Sequence, residues 1–585
     1  MLPHGGPVIG LDLDNTLVGY DELLCELAVS EGFLPGPPPA FGKRALRDAL
    51  RAKGDQGEQE WRRLQALIYG AHMPRARLMD GVAEFLARVS ALRAAGVPFG
   101  LYVVSHKTRR ANNYSDGADF HAAALDFLEA AGFFAPETGL TRAQVFFEPD
   151  RAAKVARIAS LGCTLFVDDL EETYAEPTFP DGVTRILYDP AGDAAEQAGV
   201  LRLGSWREIA DALLCDLEAR AGFAALLGEP VAECRRIYGG RNSRVYRVTT
   251  ARGVELAGKH YHRHRDDPRD RLGAEWRALA LLARHEVGRV ARPVAMDESR
   301  GLALYAFLCG EQACRLGEEV AASPEDRDRA GADMDQCLDF LAELRSLARE
   351  LSPDEAEAIP PASEACFSLA ELETNLRGRL DALRAVPVDA CLGAELAAFM
   401  AEELGPFLEA SLARARELLG DPAAELPQAE RTLSPSDFGL HNALRAEDGL
   451  AFVDFEYFGW DDPAKTLCDF VLHPAMNLPP KLRRRFAEGF LKRFAGQEGQ
   501  ECGQKHAHAA LRKRALAVYP LFGVKWCLIL LNEFLRGADA RRRFAAGAQT
   551  AGTCGGDLER RRAQLAKARA MLEKVRTSNV VDGVC

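Results

Sequence analysis

The sequence predicts a multidomain chain in which an α/β parallel-sheet domain precedes an α+β domain of two lobes. Three observations carry this reading. At 585 residues the chain is too long for one hydrophobic core. Up to about residue 190, short apolar runs ending in a polar residue alternate with helical patterns, which implies parallel strands covered on both faces. From about 230 a hairpin and further short strands come first, and from about 325 nearly everything reads as helix.

In the first region the strands are "VIGLDL" (Val8–Leu13), "PFGLYVVS" (Pro98–Ser105), "CTLFVDD" (Cys163–Asp169) and "RILYD" (Arg185–Asp189). Between them lie amphipathic stretches such as "GVAEFLARVSALRAAG", which stops at Gly96. Residues 190 to 204, rich in Gly, Ala and Asp, read as a connection, and "SWRE" then opens a helix with Ser205 as N-cap and Glu208 three places on. This gives a first domain over 1–204, a helical linker over 205–229 and a second domain over 230–585. The second divides into a small lobe, about 230–312, and a helical lobe, about 313–585. In the small lobe "SRVYRVTTARGVELAGKHYH" reads as two strands around "ARG", followed by a helix near Gly273–His285 and the strand "LALYAFL".

Composition narrows the function classes. A hydrophobic share of 48% with 27% charged residues suits a globular chain, and a net charge of −13 argues against a nucleic-acid backbone as main partner. Phosphorylated small molecules need only local positive charge and are not excluded. The fourteen cysteines form no C-x-x-C pair and many sit in apolar runs, which predicts reduced core thiols and a cytoplasmic setting. No signal-peptide pattern opens the chain, and Leu516–Leu531 reads as too short and too interrupted by Pro520, Gly523 and Lys525 to span a membrane, and so as a buried helix.

The first constellation begins with "GLDLDNTL", Gly10 to Leu17. On a continuing strand, Asp12 and Asp14 point to the same side, where two carboxylates could bind Mg2+ and divide nucleophilic and proton-transfer work. Ser105 and the Asp168–Asp169 pair end other strands, and Lys154 stands in "DRAAKVARI". Taken in order, this set resembles the haloacid dehalogenase-like phosphohydrolases across roughly the first 190 residues, which implies a Rossmann-like sheet with a small helical cap at about 20–78. The resemblance implies Asp12 as nucleophile forming an aspartyl phosphate and Asp14 as general acid and then base. It implies Ser105 and Lys154 on the phosphoryl oxygens, and Mg2+ on Asp12, Asp14 and Asp168 with Asp169 in support. Lys107 in "SHKT" is a rival phosphate ligand, and the bland reading of Lys154 is a surface helix lysine.

The second constellation is more dispersed. Gly239 and Gly240 in "IYGGRNSRVYRV" precede a strand, where glycines allow close approach to phosphates, though most such pairs are simply turns. Lys259 falls on the next strand and Glu275 on the following helix, as a lysine for the α- and β-phosphates of ATP and the acid that holds it. "SPSDFGLHN" then supplies Asp437 and, five residues on, Asn442; Asp454 follows after a short hairpin. Phosphoryl transfer from ATP uses this trio as base, metal ligand and metal-bridging acid. The spacing, together with "VDFEYFGWDDPAKTLCDF", resembles the aminoglycoside phosphotransferase and choline kinase family over about 230–540, which implies a bilobal protein-kinase-like fold with ATP and Mg2+. One departure is Pro435, where that family has a histidine that is mainly structural. The histidines of "KHYHRHRDDPRDR" could face one way as metal ligands, but a solvated basic loop is the plainer reading.

Together these readings predict a bifunctional enzyme, a Mg2+-dependent phosphomonoester hydrolase fused to an ATP-dependent kinase for a sugar, polyol or amino alcohol. Its partners would be a small phosphate ester and a small hydroxyl acceptor, by analogy in surface-polysaccharide precursor metabolism. The alternatives are an active phosphatase carrying a non-catalytic kinase-like binding module, and an antibiotic-modifying kinase.

Overall fold

The computed structural model describes residues 6–36, 43–110, 118–194, 197–237, 243–261, 269–313, 324–388, 392–494, 501–535 and 554–582. It divides into two compact units, with the boundary between Ala224 and Ala225.

The first unit is organised by six parallel strands, Val8–Leu11, Gly100–His106, Val145–Glu148, Leu165–Asp168, Thr184–Tyr188 and Val200–Leu203. Numbered along the chain, their spatial order is 3-2-1-4-5-6, so the topology reverses at the first strand. Alternate residues feed two apolar layers: Ile9, Leu11, Leu101, Val103 and Val167 face one, and Val8, Val104 and Phe166 face the other. Gly10 is required where it stands, because a Cβ there would meet the Phe166 ring at 2.5 Å. Ligands of such sheets bind beyond the carboxyl ends of the strands at the reversal, and that is where Asp12, Ser105 and Asp168 stand.

Two of these strands differ from expectation. Val145–Glu148 is absent from the sequence reading, and Val200–Leu203 falls in the stretch read as a connection. Both are four-residue edge strands, only partly buried, so neither carries a long apolar run. Between the first and second long strands, Val18–Gly19 pairs antiparallel with Arg77–Leu78. This short ribbon closes an insertion whose helices include Asp21–Ser30, Lys43–Arg51 and Asp55–Tyr69. The helix expected as a linker runs Trp206–Leu227, with Ser205 and Glu208 bonded reciprocally at its start. Its Trp206, Ile209, Leu213 and Leu214 lie in the first unit's core, and Trp206 Nε1 donates to Thr16 O at 2.7 Å.

The second unit opens with a five-stranded antiparallel sheet. In spatial order its strands are Pro293–Asp297, Leu302–Ala306, Glu255–Tyr261, Ser243–Thr250 and Val231–Ile237. Helix Arg271–Arg284 follows the Glu255–Tyr261 strand along the chain, and long helices dominate after Pro324. Two small ribbons interrupt them. Ala443–Ala446 pairs with both Gly449–Phe452 and Glu311–Gln312, so the last residues counted in the small lobe join the helical lobe's hairpin. Thr432–Ser434 pairs with Gly459–Asp461 and thereby ties together the two ends of the segment that holds Asp437, Asn442 and Asp454.

The apolar stretch near Leu516 is a buried helix, as expected, but a longer one than its sequence pattern implied. It lies in helix Glu501–Leu530, and His508–Phe534 is long and apolar enough to cross a membrane by length and composition. About two-thirds (67%) of its most apolar 18-residue window is buried, with Tyr519, Leu521, Val524, Cys527 and Leu528 in the second unit's core, so packing accounts for its apolar character. Cys163 and Cys527, read as core thiols, are buried and free.

Candidate active sites

The first site is shaped by a turn. Asp12 N still donates to Val167 O at 2.9 Å, but Leu17 N and Val18 N then both return to Leu13 O. Asn15 takes a left-handed φ of 59°, a conformation Asn adopts more readily than most residues. Asp12 and Asp14 therefore do not continue a strand and do not share one environment. Asp12 is 4% exposed and accepts from Lys154 Nζ at 2.6 Å; the same ammonium reaches Asp168 Oδ2 at 2.6 Å. Asp14 instead accepts from Lys107 Nζ at 2.9 Å through both oxygens and from Tyr20 OH at 2.6 Å.

The carboxylate oxygens of Asp12, Asp168 and Asp169 lie within 4.8 Å of one another. Three hard oxygen donors at that spacing fit Mg2+. Asp14, expected among the metal ligands, is not in this cluster, because the turn carries it to Lys107 and Tyr20. Asp169 also accepts from Thr16 Oγ1 at 3.4 Å, and Ser105 is buried near the end of its strand, two residues before Lys107. Lys154 is a buried bridge rather than a surface lysine.

The electrostatics follow from burial. Removal from water raises the Asp12 carboxyl, Lys154 opposes this, and Asp168 and Asp14 raise it further, to about 7. Burial would lower Lys154, but Asp12 and Asp168 carry it upward, so it stays an ammonium.

In the second unit, Lys259 and Glu275 meet from strand and helix. Lys259 Nζ lies 2.8 Å from both Glu275 oxygens and 3.1 Å from Asp454 Oδ1. Tyr261 OH donates to Glu275 Oε2 at 2.6 Å and so fixes the acid from the same strand. Burial would lower Lys259; Asp454 and Glu275 raise it well above its ordinary value. Asn442 Nδ2 donates to Asp437 O at 2.9 Å, which leaves its side-chain oxygen for a cation. Val453 N donates to Asn442 O at 2.9 Å and brings Asp454 alongside, itself at a left-handed φ of 71°. Asn442 and Asp454 each offer an oxygen of the hard type that Mg2+ prefers. Gly239 and Gly240 lie outside the described residues, as do His262 and His264.

Pro435 raises the question of how the Asp437 loop is braced. Ser436, at φ 67°, accepts from Lys465 Nζ at 3.0 Å and donates to Ser363 O at 2.8 Å. Lys465 is in turn fixed by Asp461 at 2.6 Å and Asp469 at 3.3 Å. Asp437 Oδ1 accepts from His441 Nε2 at 3.0 Å and His473 Nε2 at 3.1 Å. Burial alone would raise Asp437, but hydrogen bonds from His441 and His473 and electrostatic attraction to them hold it well below the usual carboxylate range.

Residues 233–511 match the model of the phosphotransferase enzyme family. They form a kinase-like phosphotransferase domain. Solved structures similar to the chain include a choline kinase from Cryptosporidium parvum Iowa II, at 12% identity over 60% of this chain and 91% of that one, TM-score 0.37. A choline/ethanolamine kinase family protein from Mesorhizobium loti is 19% identical over 62% and 99%, TM-score 0.36. A macrolide 2'-phosphotransferase from Brachybacterium faecium is 19% identical over 58% and 98%, TM-score 0.34. No curated protein matches the chain. The assignment of the phosphotransferase domain rests on the family match.

Three residues of this domain escaped the sequence reading: His441, His473 and Lys465. His441 lies inside the quoted loop, four residues after Asp437. Lys465, Asp469 and His473 recur at every fourth position along helix Pro463–Leu472 and its C-cap, a spacing that places them along one side. That row was the available signal.

Proposed function

We propose that the chain is a bifunctional enzyme. Its first unit is a haloacid dehalogenase-like phosphomonoester hydrolase, and its phosphotransferase domain moves the γ-phosphoryl group of ATP to a hydroxyl of a sugar, polyol or amino alcohol. For the hydrolase, the carrying observation is a buried carboxylate, Asp12, held at the sheet's topological reversal by Lys154 beside Asp168 and Asp169.

In the hydrolase reading, an Asp12 oxygen attacks phosphorus, the P–O bond to the alcohol breaks, and Asp14 donates the proton that the leaving oxygen needs. Asp14 then takes a proton from water as that water attacks the acyl phosphate, which releases inorganic phosphate and restores Asp12. In this reading Ser105 and Lys154 hold phosphoryl oxygens. Mg2+ on Asp12, Asp168 and Asp169 would neutralise charge between carboxylate and phosphate.

In the kinase reading, the acceptor hydroxyl attacks the γ-phosphorus while its proton passes to Asp437, and ADP leaves with the cleaved oxygen. Lys259, held by Glu275, orients the nucleotide phosphates, and Asn442 and Asp454 supply oxygens for Mg2+. The intact Lys259–Glu275 pair and the bracing of the Pro435 loop by Lys465 support catalysis over a purely binding module.

A kinase and a phosphatase working on one phosphate would only consume ATP, so the two sites serve different positions or successive steps, in a cytoplasmic pathway such as surface-polysaccharide precursor synthesis. The test compares wild type, Asp12→Asn and Asp437→Asn over one panel of phosphate esters, sugars, polyols and amino alcohols. Asp12→Asn should lower phosphate release by about 10²- to 10⁴-fold and spare ATP-dependent phosphorylation, and Asp437→Asn the reverse. Phosphate release untouched by Asp12→Asn removes the hydrolase; phosphorylation untouched by Asp437→Asn removes the kinase assignment.

A further inference from the structure

We propose that His441 and His473 are positioning residues that clamp one oxygen of Asp437 and so aim its other oxygen at the acceptor hydroxyl. The inference rests on the phosphotransfer reading of Asp437 and deepens it.

Both histidines reach the same atom. His441 Nε2 stands 3.0 Å and His473 Nε2 3.1 Å from Asp437 Oδ1. They approach from separate elements, His441 from the short turn Leu440–Asn442 and His473 from the C-cap of helix Pro463–Leu472. Their rings lie parallel, with centroids 3.9 Å apart and planes 11° from each other, and Trp526 closes on His473 edge-on at 4.5 Å. Each ring therefore has little freedom to turn away.

The same three residues could be taken for a divalent-metal centre, since their ligand atoms lie within 4.8 Å of one another. The hydrogen bonding argues against that. His473 Nδ1 accepts from Ala475 N at 3.2 Å, so the ring proton of neutral His473 sits on Nε2, the atom that faces Asp437. A metal on Nε2 requires that atom's lone pair, which moves the proton to Nδ1 and breaks the bond from Ala475. His441 Nδ1 is buried without a hydrogen-bond partner, so a proton there would be a buried donor with no acceptor. Each ring thus presents an Nε2–H to Asp437 Oδ1.

The chemical consequence is directional. Two N–H groups on Oδ1 leave Oδ2 to accept the acceptor hydroxyl, and fixing one oxygen fixes the carboxylate plane.

Two measurements on the full chain test the clamp. In protein labelled with ¹⁵N-histidine, resonances assigned by loss in His441→Gln and His473→Gln should show protonated Nε2 and unprotonated Nδ1 in both rings, unmoved by equimolar Zn2+. A protonated Nδ1 on His473, or both rings shifting together with Zn2+, overturns the proposal whatever the enzyme's activity. In assays with ATP–Mg2+ and the panel of sugars, polyols and amino alcohols, His441→Leu and His473→Leu should each lower kcat about 10- to 100-fold with KM for ATP little changed. The Gln variants, which return an N–H to the same reach, should recover most of it. Leu variants that melt like wild type and keep its kcat overturn the clamp, whereas a wild type that phosphorylates no acceptor overturns the kinase reading and leaves the ring protons to decide the clamp.

Discussion

Lys154 is buried and Lys259 partly so, and each lies across two carboxylates from different elements, yet the sites around them handle the reacting acid in opposite ways. In the first unit the ammonium touches the proposed nucleophile itself, 2.6 Å from Asp12, and burial still raises that carboxyl to about 7. In the phosphotransferase domain the ammonium touches Glu275 and Asp454, while Asp437 is held low by two histidines. The difference teaches where each site needs charge. A nucleophile that must meet an anionic phosphate is dehydrated and depends on cations to ionise, whereas a base that takes a proton from a neutral hydroxyl can be held as an anion by the histidines that touch it.

Removal of the lysines has the largest expected effect. Lys154→Met leaves Asp12 and Asp168 buried without their cation and should cost the first unit about 3–5 kcal/mol in chemical denaturation, with Mg2+ recovering part of it. Lys259 is more accessible, its side chain 12% exposed against 2% for Lys154, so Lys259→Met should cost less stability while abolishing ATP-dependent phosphorylation. Equal stability losses would mean that the two bridges are equivalent. Lys465→Met probes the bracing of the Asp437 loop in the same way: Asp461 loses its cation and Ser436 its donor, so both stability and kinase kcat should fall.

A smaller effect separates the sites by pH. The folded Asp12 carboxyl is raised from 3.8 to about 7, so its contribution to stability is complete below 3.8 and is lost as pH rises to about 7. Asp12→Asn removes this dependence. Without divalent metal, the Tm of wild type relative to Asp12→Asn should therefore fall across that window, and excess Mg2+ should reverse the trend. A flat difference would mean that Lys154 alone keeps Asp12 ionised. The smallest expected effect is at Asp14: Tyr20→Phe removes one of its donors but leaves Lys107, so phosphate release should fall only a few-fold, by roughly the 1 kcal/mol of a hydrogen bond that has a neighbour to compensate. A loss as large as that of Asp12→Asn would make Tyr20 a reacting group.

The candidate chemistry was more legible than its geometry. Asp12, Asp168 and Ser105 could be picked out because strands of a parallel sheet end in polar residues on one side, and Lys259 and Glu275 because a strand and the next helix place them predictably. The path of Asp14 was not legible, since it depends on Asn15 turning left-handed and on Leu13 O capturing two later amides. The edge strands Val145–Glu148 and Val200–Leu203 escaped because partial burial gives no long apolar run. His473 escaped because it lies 36 residues beyond Asp437. No local spacing connects the two.

By itself the sequence determined the inventory: two constellations of carboxylates, each with a lysine, on a parallel-sheet region and a kinase-like region, because periodicity and strand-end placement are local properties. Only the tertiary structure decided the partnerships. Which carboxylate Lys154 grips, which two donors Asp14 meets, what braces a loop with Pro435 and which histidines hold Asp437 are set by contacts between segments far apart in the chain. Those contacts are fixed by packing and by the need of every buried charge for a partner, and neither can be read from one segment alone.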